Sequence, residues 1–235
     1  MRRPSLFLLV AASLAAPLAG ARAQVGYTPE ASPFRDLEYK HEVTALGGWY
    51  KAQKDRVGIA PQSGPLVGAR YALHLSGPVY LAGELSTVFS TRDVIDPTKP
   101  PASRKVTEES TQLYLADVAL AFALTGHRSW HDLTPEMSLG GGVVASGRRG
   151  VDVGGYEFGA PLALSLGTGV RWVPGGGKRW LVRGDFKGRM YKVTYPPKYF
   201  QAASDGSTVL KAGTDRSGWT FNPAFTLGVS LLFGR

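Results

Sequence analysis

The 235-residue chain has no cysteine, so neither disulfides nor a lipidated N-terminal cysteine can staple or anchor it. Histidine is scarce at four residues, which leaves little material for a metal site or a general base. Acidic residues are outnumbered, 18 against 27 lysines and arginines. Long hydrophobic runs are also missing: beyond residue 23 nothing approaches the ~18 consecutive apolar residues of a spanning helix. An exported chain of this kind is either soluble or crosses a membrane as strands. Helical periodicity is hard to find as well. Glycine, by contrast, is abundant at 30 residues and aromatics make up 11%. That balance suits one all-β domain with many turns.

The first residues give an address. Met1-Arg2-Arg3 is a basic start, Leu6 to Ala16 is mostly apolar, and Ala21-Arg22-Ala23 is a small-x-small cleavage site. This reads as a secretory signal peptide over residues 1–23, too short to be a spanning helix. Its removal takes three charges, those of Arg2, Arg3 and Arg22, from the formal net charge of +9. The basic excess therefore does not point to nucleic acid, because export carries the chain away from it.

The most informative stretch is Gly218 to Phe233. Trp219, Phe221, Pro223, Phe225, Leu227, Val229, Leu231 and Phe233 form one apolar set, while the alternate positions are small or polar until Leu232. A period of two means a strand. Soluble strands average about 5–6 residues, whereas a tilted strand of roughly 9–11 crosses a bilayer. Aromatics sit at both ends of the apolar face, where rings favour the lipid–water interface.

The same alternation recurs upstream, at about Tyr39–Tyr50, Pro65–Leu75, Val79–Thr91, Thr111–Leu124, Pro135–Ala145, Leu162–Trp172 and Arg179–Val193. Residues 24–38 carry Pro29 and Pro33 and no period, and read as a periplasmic lead-in. Segments 51–63, 92–110, 146–157 and 195–217 are long polar loops; Ser76-Gly77-Pro78 and Pro174 to Gly177 are tight turns. Long and short connections alternate, and only the one after the fourth strand, Thr125 to Thr134, is longer than the pattern predicts. The expected fold is all-β, a closed antiparallel up-and-down transmembrane β-barrel of about eight strands over residues 39–235. Closure leaves no unpaired edge in lipid. A soluble lipocalin-like barrel is the competing fold, and it would put the apolar set inside.

These eight segments and the ending resemble the small outer-membrane β-barrel family typified by OmpA and OmpX. The sharpest local match is the C-terminal assembly signal, here Thr226-Leu-Gly228-Val-Ser-Leu231-Leu-Phe233, although Gly234 and Arg235 follow the aromatic residue. The resemblance implies an outer-membrane location with both termini periplasmic. It also implies that Thr226, Gly228, Leu231 and Phe233 carry the signal read by the barrel-assembly machinery. The expected partners are that machinery and the outer-membrane lipid, with the protein a monomer.

By phase, Lys40, Glu42, Arg70, Glu84, Asp117, Glu136, Arg171, Arg183, Asp185, Lys187 and Arg189 fall on the inward set. An eight-stranded interior is just wide enough for side chains to fill, and buried charges are paired or hydrated. Two readings stay open: an internal salt-bridge network closing the lumen of a structural or surface-interaction protein, or the same network gating a narrow channel for small solutes. A lipid A-modifying enzyme ranks behind both. His127 and His131 stand four apart without the Glu and helix of a zinc motif. No catalytic, metal or cofactor site is expected. Gly140 to Gly142 and Gly175 to Gly177 open no helix and so form no phosphate cradle. Lys51, Lys54, Arg56, Arg104, Lys105, Arg148 and Arg149 in the loops suit either lipopolysaccharide phosphates or an ordinary solvated surface.

Overall fold

The computed structural model describes residues 32–147, 150–174 and 179–234. The expected signal peptide, the lead-in up to residue 31, Arg148, Arg149, Gly175 to Gly177 and Arg235 lie outside the described residues. From Phe34 onward the chain forms one unit. Its ten strands are β1 (Phe34–Asp36), β2 (His41–Tyr50), β3 (Gly64–Ser76), β4 (Val79–Ile95), β5 (Lys105–Ala123), β6 (Arg128–Trp130), β7 (Leu133–Ser146), β8 (Leu162–Trp172), β9 (Trp180–Thr194) and β10 (Ser217–Phe233). Short 3-10 turns lie at Pro101–Ser103 and Pro197–Phe200.

Eight strands close a ring in the order β2, β3, β4, β5, β7, β8, β9, β10. Every neighbour is antiparallel, and β10 returns to β2 over Ala224 to Phe233 to seal the seam. Closure gives each strand two partners, so no backbone edge is left open. The remaining two strands form a small pair at the rim, Phe34 opposite Trp130 and Asp36 opposite Arg128. That pair accounts for the long connection between β5 and β7: its extra residues dock the end of the lead-in.

The facing separates the two candidate barrels. On β8 the outward Leu162, Leu164, Leu166, Val170 and Trp172 are 43–77% exposed, while Ser165 and Arg171 between them are buried. Such a surface recurs around the ring, with Leu85, Val118, Leu139, Leu227 and Leu231 also exposed. Water-soluble monomers rarely expose contiguous apolar patches beyond a few hundred Å². The wall is built to face lipid, and the fold is a transmembrane β-barrel with its polar set inside.

One end of the barrel gathers both ends of the strand order and the short connections, including Gly77, whose φ of +52° suits glycine in the two-residue turn. The opposite end gathers the long loops. There β4 and β5 run past the predicted boundaries, so the expected loop 92–110 is largely a hairpin arm, with the ladder continuing through Asp93 opposite Glu108. The sequence hid this because an arm standing clear of lipid has polar residues on both faces and loses its period.

Tyr39 and Lys40 reverse the expected phase. Tyr39 is buried and Lys40 exposed, so Lys40 does not belong to the interior charges. Regular pairing begins only at His41. Before it, the Lys40 N–H donates to the Gly234 carbonyl at 2.9 Å, and the chain bends inward to bring Tyr39 under the barrel.

Candidate functional site

Strand β9 supplies the centre of the lumen. Its inward charged residues are Arg183, Asp185, Lys187 and Arg189, spaced two apart as the pleat requires. Facing them are Glu42 from β2, Arg70 from β3, Glu84 from β4, Asp117 from β5, Glu136 from β7 and Arg171 from β8. All ten are buried, at 1–9% exposure.

Their contacts sort into two groups. Toward the turn end, Arg183 Nη1 donates to Glu42 Oε1 at 2.7 Å, and Nη2 donates to Glu136. Its Nε and Nη2 also donate to the two Asp185 carboxylate oxygens, each at 2.7 Å. Arg171 lies 3.4 Å from Glu42 and 3.2 Å from Glu136, and Arg70 lies 3.2 Å from Glu136 and 3.8 Å from Asp185. Three guanidinium groups thus meet three carboxylates. Toward the loop end, Lys187 Nζ donates to Glu84 at 2.6 Å, and Arg189 donates to Glu84 and Asp117 at 2.7 Å each. Two cations meet two anions. Each group is neutral, which is the arrangement that ions removed from water require.

Hydroxyls complete the lower group. Ser230 Oγ donates to Glu42 Oε1 at 3.0 Å and sits 2.8 Å from Thr44 Oγ1. Arg171 Nη1 donates to Tyr39 Oη at 2.9 Å, and its guanidinium lies 4.5 Å over the Tyr80 ring. Gly228 has a steric role here. A Cβ on it would lie 2.7 Å from Thr44 Cγ2 and 3.3 Å from Arg183 Cγ, so its bareness makes room for the Arg183 stem.

Apolar side chains fill both ends. Above the charges, inward Leu46, Tyr50, Leu66, Val88, Leu113, Leu115, Val144 and Tyr191 meet Ile59, Tyr156, Tyr199 and Leu210 from the loops. Tyr50 and Tyr191 join their hydroxyls at 2.9 Å. Below, Leu37 and Tyr39 pack with Tyr80, Ala121, Val173, Leu181 and Leu232. The histidines gather at this lower mouth: the His74 and His127 rings stack with centroids 3.8 Å apart, and Tyr80 Oη is 2.8 Å from His127 Nδ1. Burial, and the neighbouring His74, push the His127 imidazole down to about 4. Among the described residues no cluster of three potential metal ligands occurs.

Ten of the eleven charges singled out by phase, Glu42, Arg70, Glu84, Asp117, Glu136, Arg171, Arg183, Asp185, Lys187 and Arg189, are brought together in the lumen, and Lys40 is not. The expected assembly signal is divided between the faces. Thr226 points inward and is buried, Gly228 faces Arg183, and Leu231 and Phe233 lie on the lipid side. Phe233 stacks on His41 at 5.2 Å. Three features lacked a sequence signal: the loop-built plug, the lead-in plug and the stacked histidines. Each joins segments far apart in the chain, and none follows a period. The ion pairs of the hairpin arm, Arg92 with Asp152 at 3.1 Å and with Glu109 at 3.4 Å, fall in the same class.

No protein-family model and no curated protein sequence matches the chain. Among solved structures it is similar to neisserial surface protein A, NspA, at 12% identity and a TM-score of 0.48, over 82% of this chain and 97% of that one. It is similar to the N-terminal β-barrel domain of Pseudomonas aeruginosa OprF at 13% identity, with a TM-score of 0.38, over 83% of this chain and 98% of that domain. The Yersinia pestis attachment invasion locus protein, Ail, matches at 11% identity and a TM-score of 0.40, over 83% of this chain and all of that one. What the chain shares with these small outer-membrane barrels is an outline; the all-β, closed antiparallel barrel itself is set by the strand order and facing described above.

Proposed function

We propose that the protein is an integral outer-membrane β-barrel with a structural or surface-interaction role, and that its lumen is closed. The observation that carries this reading is the neutral charge network of ten side chains held between two apolar plugs. A conducting path needs a continuous file of water. Here Tyr50, Tyr191 and the loop residues lie across the upper lumen, and Tyr39 with Leu37 across the lower.

In this reading both termini and the short turns face the periplasm, while the long loops and the β4–β5 arm face outward. The protein acts as a monomer without catalysis. His74 and His127 serve the lower plug, each with one ring nitrogen engaged, His74 Nε2 with the Gly77 carbonyl at 3.0 Å and His127 Nδ1 with Tyr80. Its partners are the membrane lipid and, during biogenesis, the assembly machinery that reads Thr226, Gly228, Leu231 and Phe233.

Conductance across a planar bilayer tests the closure. The expected result is insertion, seen as heat-modifiable gel mobility, without discrete current steps. Regular steps from the wild-type protein would replace this reading with a narrow channel.

A further inference from the structure

Basic side chains at the loop end are of two kinds. Around the β4–β5 arm they are engaged: Arg92 with Asp152 and Glu109, Lys99 with Asp96, Lys105 with Asp93 and Glu108. Arg104 donates to Ser207 and to the Thr208 carbonyl. On the wall formed by β9, β10 and β2, the pattern changes. Lys51, Lys54, Arg56, Lys192, Lys211 and Arg216 are exposed, and none forms a salt bridge among the described residues.

Strand pairing and hydrogen bonds bring Lys51, Arg56, Lys192 and Arg216 to this side. The Lys51 N–H donates to Pro223 O on β10 at 2.8 Å, and Lys192 on β9 pairs with Trp219. Tyr195 N–H donates to Arg216 O at 2.7 Å, and Tyr195 Oη accepts from the Arg56 N–H at 3.2 Å. Arg56 and Lys211 border an open depression of about 510 Å³, where Asp215 is the one acid among the lining residues.

Two of the six leave the barrel on the lipid side. Lys51 continues the outward phase of Trp49, and Lys192 that of Met190, so they flank the upper half of β10, Lys192 at Trp219 and Lys51 at Pro223. Beside them run the outward aromatics of that strand, Trp219 level with Lys192, Phe221 between the two lysines and Phe225 below Lys51, each at least 46% exposed. Rings of this kind mark the level where acyl chains give way to headgroups. Lysines at the level of these rings, with no salt-bridge acid to hold them, extend their stems toward an anion at the membrane surface.

We propose that this face binds the phosphorylated headgroup of an outer-leaflet lipid. Its phosphates accept from Lys51, Lys192 and the loop bases above them, and its acyl chains lie along Phe225 and Leu227 below both lysines. Ammonium and guanidinium donors make short, charge-assisted bonds to phosphate oxygens. The asymmetry is the specific part: one side of the barrel carries the site, and the opposite arm has already spent its cations on its own acids. The inference rests on the outer-membrane reading above.

The test uses the purified protein and three variants. Insertion into neutral phosphatidylcholine vesicles is measured first by heat-modifiable mobility. Failure of the wild type to insert overturns the membrane reading and this proposal together. Inserted protein is then moved into uncharged sugar-detergent micelles and titrated with diphosphoryl lipid A or its dephosphorylated form, followed by tryptophan fluorescence. The expected result is binding of the phosphorylated lipid alone. Each basic residue near an anionic surface is worth about fivefold in affinity, so Lys51→Gln with Lys192→Gln weakens binding about 25-fold. Lys51→Arg with Lys192→Arg retains it, and Lys99→Gln with Lys105→Gln leaves it unchanged. Equal binding of both lipids, no binding, or equal loss in the arm variant overturns the proposal while leaving the membrane reading intact. Inorganic phosphate competing at the concentration of the lipid overturns the lipid assignment in favour of a free-anion site.

Discussion

Replacing Arg183 by methionine separates a closed interior from a watery one. Methionine keeps an unbranched stem of similar reach, so the change falls mainly on the charge. Arg183 is 1% exposed and contacts Glu42, Glu136 and Asp185. After its removal, Arg70 and Arg171 are left to serve three carboxylates, which leaves one buried negative charge uncompensated. Removing one partner from a buried ion pair costs about 3–5 kcal/mol. In a hydrated pore the same pair would behave like a surface contact, worth about 0–1 kcal/mol. Equilibrium urea unfolding in phosphatidylcholine vesicles, followed by tryptophan fluorescence, measures the difference. Adding Glu136→Gln to Arg183→Met restores neutrality in the lower group, and the double variant is expected to be less destabilised than the single one. A single-variant loss below about 1 kcal/mol, or strict additivity in the double variant, would refute the argument for a dry network.

A fluorophore on cysteine placed at 164 or 166 is expected to be strongly quenched by lipid-borne quenchers and one at 165 weakly, because Leu164 and Leu166 are 63% and 59% exposed and Ser165 is 3%; the reverse order would invert the facing. Phe233→Ala is expected to reduce the amount of folded barrel in cells while leaving secretion intact, and a normal folded yield would remove Phe233 from the assembly signal. The lower mouth is expected to loosen on acidification. The His127 pKa is depressed when folded, to about 4, so the unfolded chain takes up the proton first, and stability contributed by the neutral ring is full above about 6.5 and lost as pH falls toward 4. Hydrogen exchange at Leu37, whose N–H donates to the His127 carbonyl at 3.1 Å, reads this directly, and His127→Asn should flatten the profile.

Period two made most of this barrel legible. Strands β8 and β10 match the expected bounds almost residue for residue, because each has one face in lipid and one in a polar lumen. The charge residues were legible for the same reason: a charge on an inward phase has nowhere else to go. The period failed wherever one of those two environments was absent. The arm of β4 and β5 stands above the lipid, and β1 and β6 are three residues each. Inward Leu46, Leu66, Leu113 and Leu115 interrupt the polar set. They are the lower half of a core whose upper half, Ile59, Tyr156, Tyr199 and Leu210, comes from loops with no periodicity to announce them. Glu42 is legible by phase, but the same phase puts Tyr39, one of the hydroxyls serving its partner Arg171, on the wrong face because the chain bends just before β2.

The interior charges are not shared evenly along the chain. Strands β2 to β7 bring Glu42, Glu84, Asp117 and Glu136 with one base, Arg70; β8 and β9 bring Arg171, Arg183, Lys187 and Arg189 with one acid, Asp185. An unfinished sheet ending at β7 therefore has an acidic inner surface, and the last three strands carry a basic one. Neither half can shed its water alone. The ring becomes electrically neutral inside only when the two halves meet, so closing the β10–β2 seam and drying the lumen are one event, and the chain has a built-in reason not to settle as a half-barrel.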